Sequence, residues 1–157
     1  MDINLDVKNN SYDHLINFID TYSVSNLNGT MYVNSYYYQL KFKAAFVDLV
    51  HAYELLLKAV LFDINENLIY TNIESTNIEG SNTLKIENFF ARIKNFSDYK
   101  FEEKEKKFVK SCSKTRNDII HFKFNSRTEK LKNDSMQLLY YYDKIHGYFF
   151  KDNLDPE

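Results

Sequence analysis

A chain of 157 residues has the length of one domain, and 44% hydrophobic with 27% charged residues excludes a disordered or fibrous protein. No run of about eighteen uncharged apolar residues occurs, and the first residues carry neither the basic nor the apolar region of a signal peptide, so one cytoplasmic domain over residues 1–157 without a membrane span is expected. The net charge of -2 hides an asymmetry: residues 100–132 hold eleven Lys or Arg against five Asp or Glu, and the rest of the chain holds nine against seventeen.

A basic segment on an acidic body suggests an anionic partner at one surface. The single Cys112 can form neither an internal disulfide nor a zinc site. Packing must therefore hold the fold, much of it through 13 Tyr and 13 Phe. With 3 Gly and 1 Pro, the chain lacks the turn chemistry of a many-stranded protein, and an all-α domain of about five helices follows.

Ser11 is the expected N-cap of a first helix in which Leu15, Ile16, Phe18, Ile19 and Tyr22 repeat at helical spacing. A polar stretch over residues 23–30, with the turn pair Asn28-Gly29, ends it. A second helix over residues 35–62 is apolar nearly all round, which marks a central element with neighbours on several sides. Its polar stripe contains Asp48, His51, Glu54 and Lys58, with Glu54 and Lys58 in the favourable order for an i, i+4 ion pair. The His51-x-x-Glu54 spacing lacks third and fourth ligands at helical intervals, and no metal or cofactor is expected.

Residues 63–84 read as an irregular insertion or a short hairpin, for which residues 68–70 and 84–86 are the candidate strands. A third helix carries Phe89, Phe90, Ile93 and Phe96, a basic fourth runs over residues 101–121, and a fifth over residues 129–150.

The fourth helix carries the chemistry. Phe108, Cys112, Thr115 and Ile119 share the expected core face, and Lys110, Lys114, Asn117 and His121 collect on the opposite one. Arg116 falls between the two. Arginine binds phosphate through a planar fork of donors, and histidine exchanges protons near neutrality. On one helix the two are too far apart in angle to converge on a single phosphate, so two copies related by a two-fold axis are expected to build the site together.

Arg116-Asn117-Asp118-Ile119-Ile120-His121 resembles the signature of HEPN domains, an Arg followed by a polar residue with a His four to six positions beyond the Arg. Residues 52–61 resemble the Glu- and Lys-bearing second helix of that family, so the resemblance spans residues 42–122. It implies an α-helical bundle that dimerises to form a composite metal-independent ribonuclease site, as in toxin or phage-defence effectors. On that model His121 moves the proton of the attacking ribose 2′-OH, Arg116 stabilises the phosphoryl charge, and Asn117 orients the imidazole. Lys110, Lys114 and Lys123 would contact RNA phosphates, in tRNA or mRNA. An antitoxin or defence-system protein is the implied partner. Lys123 stands where antitoxin-silenced members carry a Tyr, a departure from that mode of control.

Two alternatives remain open. One is a catalytically inactive module of the same fold that binds RNA, a nucleotide or a partner protein. In the other the motif is purely structural, with Arg116 paired to a carboxylate of the bundle and His121 at the helix C-terminus, where a cation is favoured.

Overall fold

The computed structural model describes residues 3–27, 36–71, 84–121 and 128–151. Five α-helices make up the architecture: α1 (Ile3–Leu27), α2 (Tyr36–Ile64), α3 (Ile86–Phe96), α4 (Glu103–Ile120) and α5 (Thr128–Phe149). No strand occurs among the described residues. The all-α reading holds, and α2, α4 and α5 match their expected bounds to within a few residues.

The central element is α2, which touches each of the other four helices. Its 29 residues contain no Gly or Pro, so nothing interrupts the helical hydrogen bonds. Phe46, Leu49, Leu56, Leu57 and Leu61 are fully buried along it. Truncating one such leucine to Ala would cost about 2–5 kcal/mol. Ala45, Ala52 and Ala59 recur every seventh residue and are also buried, which gives α2 a seam of small side chains where a neighbouring backbone can come close.

That seam explains a difference from the sequence reading. Helix α1 begins at Ile3, eight residues before Ser11, so Ser11 lies inside the helix and is not its cap. It stands one turn before Leu15 on the stripe continued by Phe18 and Tyr22. Its hydroxyl donates to the Ala52 carbonyl at 2.8 Å and meets the Tyr142 hydroxyl at 2.8 Å. A buried serine is tolerated because both of its contacts are hydrogen bonds. Ile16 and Ile19, expected in the core, are exposed because the stripe turns away from them.

Within the described residues the insertion begins with a 3₁₀ turn over Glu66–Ile69, whose start is capped by Asn65 accepting from the Asn67 N–H. Leu84 N–H donates to the Ile69 carbonyl at 3.0 Å, and Arg92 of α3 donates to the carbonyls of Leu68, Tyr70 and Thr71. The first end of the insertion is thereby tied to α3, and its last residue to the first end. Residues 72–83 lie outside the described residues.

Phe89, Phe90 and Ile93 face inward from α3; Ser97 ends that helix by donating to the Ile93 carbonyl at 2.7 Å. Phe96 is exposed. Leu131, Leu138, Tyr141, Tyr142 and Ile145 of α5 complete one continuous core cluster fed by all five helices. Tyr99 and Phe101, before α4, stack edge to face at 4.8 Å, and Tyr99 also meets Tyr148 and Phe149 of α5.

Candidate functional site

The core side of α4 is rotated from the face expected. Glu105, Val109, Cys112 and Ser113 are its buried residues, and Phe108, Thr115 and Ile119 are only partly covered. Turning 100° per residue, Arg116 falls in the middle of the observed buried arc, so it points inward towards α2 and not along the flank. The apolar pattern was misleading because the buried arc holds Glu105 and Ser113, two polar residues.

Arg116 is held by Glu54 of α2. Nη2 donates to both carboxylate oxygens, at 2.6 and 2.8 Å, and Ser113 Oγ donates to Oε1 at 2.6 Å. The side chains of Arg116 and Glu54 are 21% and 19% exposed, so the pair sits at the edge of the core, where charge-assisted bonds are stronger than on the open surface. The Arg116 Nε is buried without a partner among the described residues. Glu54 was expected to pair with Lys58; the carboxylate turns to α4 instead, because the inward arginine and Ser113 offer it three hydrogen bonds away from solvent.

Arg116 borders an open groove of about 570 Å³ between α2, the start of α3 and α4. Lys58, Lys85, Lys110, Lys114 and Arg116 supply five cations to its lining against two carboxylates, Glu54 and Glu87, and Asn117 completes the polar wall. Lys110 and Lys114 stand one turn apart and are exposed. The groove thus offers fixed positive charge and hydrogen-bond donors to an extended anion.

Four of the six candidate residues, Arg116, Asn117, Lys110 and Lys114, meet at this groove. His121 does not line it: it caps the C-terminus of α4, with an exposed side chain and a backbone N–H that donates to the Asn117 carbonyl at 3.0 Å. The expected side-chain bond between Asn117 and His121 is absent, and the backbone alone joins them. Lys123 lies outside the described residues. Among the described residues no group of three or more His, Cys, Asp or Glu is arranged to hold a metal ion.

A second polar cluster continues along α2 from Glu54. His51 precedes Glu54 by three residues, and its ring stacks on that of His14 from α1, with centroids 4.3 Å apart and planes 10° from parallel. His14 Nδ1 is 2.9 Å from Asp48 Oδ1. Burial, and next the neighbouring His14, hold the His51 pKa below the ordinary imidazole value, with Glu54 acting in the opposite direction and Arg116 and Lys58 in the same one. Helical spacing within the sequence could not pair His14 with a histidine 37 positions away on another helix.

No protein-family model matches the chain, and no curated protein or solved structure is detectably similar to it. Among the described residues, no helix is long and apolar enough to cross a membrane.

Proposed function

We propose that this chain is a metal-independent endoribonuclease of the kind that its resemblance to HEPN domains implies, working as a homodimer and serving as a toxin or phage-defence effector under the control of a partner protein. The ribose 2′-oxygen attacks the adjacent phosphorus, the bond to the 5′-oxygen breaks, and the products are a 2′,3′-cyclic phosphate and a 5′-OH. Arg116 stabilises the charge that builds on the phosphoryl oxygens, with Lys110 and Lys114 holding the flanking phosphates. His121 of a second copy exchanges a proton with the reacting oxygens. The observation that carries this reading is the single groove lined by Arg116, Asn117, Lys110 and Lys114.

The test is incubation of total RNA with the purified protein in EDTA, beside His121→Ala and Arg116→Ala, with mapping of the RNA ends. Cyclic phosphates from wild type alone are expected; identical profiles for all three proteins would overturn the proposal.

A second reading, a catalytically inactive module that binds RNA or a nucleotide in the same groove, is favoured by the Arg116–Glu54 pair and by the position of His121 away from the groove. It predicts retention of RNA on the protein without cleavage.

A further inference from the structure

Transesterification of RNA moves two protons, one off the 2′-hydroxyl and one onto the departing 5′-oxygen, and it proceeds best with a separate group for each. Within one protomer the described residues place an imidazole pair one helical turn along α2 from Glu54, the partner of Arg116, just outside the lining of the groove: His51, three residues from Glu54, and His14, stacked against it from α1. We propose that His51 is a catalytic proton-transfer group of the ribonuclease site in the same protomer as Arg116, with His14 and Asp48 as its positioning residues. The inference rests on the ribonuclease reading and adds to it a second proton-transfer group.

Three observations support the assignment. An ionised carboxylate only accepts, so Asp48 fixes the proton of His14 on Nδ1 and leaves Nε2 as the ring's other nitrogen. That bond anchors the ring on which His51 stacks, so the imidazole of His51 is positioned although part of its surface meets solvent. The parallel stack at 4.3 Å also holds the His51 ring plane in one orientation. The groups that act on His51 are His14 from α1, Glu54 and Lys58 of α2, and Arg116 of α4, while Asp48 of α2 meets His14. The balance of burial and these charges favours the neutral ring, the form a general base requires.

In the reaction, His51 takes the 2′-hydroxyl proton as the 2′-oxygen–phosphorus bond forms. The bond from phosphorus to the 5′-oxygen breaks, and His121 of the second copy protonates the leaving oxygen. The cyclic phosphate keeps its charge beside Arg116, and no electron is gained or lost.

The test is the pH–rate profile for cleavage of a short RNA by the wild type, His51→Gln, Asp48→Asn and His121→Ala, with far-ultraviolet circular dichroism as the check on folding. His51→Gln is expected to lower kcat/KM by about 100-fold or more and to remove the acidic limb of the profile. Asp48→Asn, which leaves His51 in place, should lower kcat and displace that limb with little change in KM. If His51→Gln is misfolded, the Asp48→Asn profile decides: a limb unmoved from wild type overturns the inference. Folded His51→Gln that cleaves within twofold of wild type with both limbs intact also overturns it, while cleavage by wild type leaves the ribonuclease reading standing. RNA untouched by wild type defeats both.

Discussion

Glu54 and Arg116 hold each other at the edge of the core, and removing one partner leaves the other with unmatched charge. Glu54→Gln keeps the shape but loses the ion pair, so a loss of about 1–3 kcal/mol is expected in urea unfolding. An unchanged midpoint would mean that Arg116 finds equal partners in water. The stacked histidines give a pH signature of definite sign. The unfolded chain binds the His51 proton more readily than the folded one, since the folded pKa is lowered, so stability falls as pH drops through the ordinary imidazole value of 6.5 and levels off below the folded pKa. His51→Gln should flatten that part of a plot of melting temperature against pH. A steeper decline in the variant would contradict the assignment.

At the scale of elements, the contact between α4 and α5 depends on a charge inside it. Glu105 has no exposed surface; Lys144 of α5 reaches it at 3.2 Å and the Tyr53 hydroxyl at 3.4 Å. Burial raises the Glu105 carboxyl above the ordinary range, and Lys144 partly opposes that rise. Burial with Glu105 alongside likewise pushes the Tyr99 hydroxyl up to about 12. Lys144→Met strands the carboxylate and should cost about 3–5 kcal/mol in denaturant unfolding, whereas Glu105→Leu with Lys144→Met should recover most of that loss. Equal losses in the single and double variants would show that the pair is not coupled. These buried polar residues also explain how far the helices could be read from the sequence. The periodicity of Phe89, Phe90 and Ile93 placed α3 correctly because its inward face is apolar. For α4 the inward face contains Glu105, Ser113 and Arg116, so apolar spacing gave the wrong rotation and hid the partner of Arg116. Ser11 was misread for the same reason, since a serine before an apolar run has the pattern of a cap and only tertiary contacts with Ala52 and Tyr142 reveal it as core. Lys110, Lys114 and Asn117 were legible as one polar face with Arg116 on its flank, but the inward turn of Arg116 and the His14–His51 pair, whose members meet only when α1 packs on α2, were not.

For the molecule as a whole, basic charge gathered at one groove on an otherwise acidic chain predicts binding that weakens with salt. Each phosphate contact with a single strand contributes about 0.7 to the slope of log affinity against log salt, so Lys114→Ala should reduce the slope by about that much without altering base preference. A slope equal to wild type would remove Lys114 from the interface. Light scattering during gel filtration should give twice the mass of one chain if the site is completed by a second copy; a monomer mass at the concentration where RNA is cut would place all the chemistry within one protomer. The way Glu54 holds Arg116 has a consequence for the choice among anions. Both contacts come from Nη2, so any ligand entering the groove competes with a carboxylate already in position. The gain on binding is the difference between two anions and not the full attraction of the guanidinium. Chloride or free inorganic phosphate should therefore be a poor competitor, while a polymer whose neighbouring phosphates engage Lys110 and Lys114 at the same time can displace the balance, so that discrimination in favour of strands over small anions is built into the resting pair.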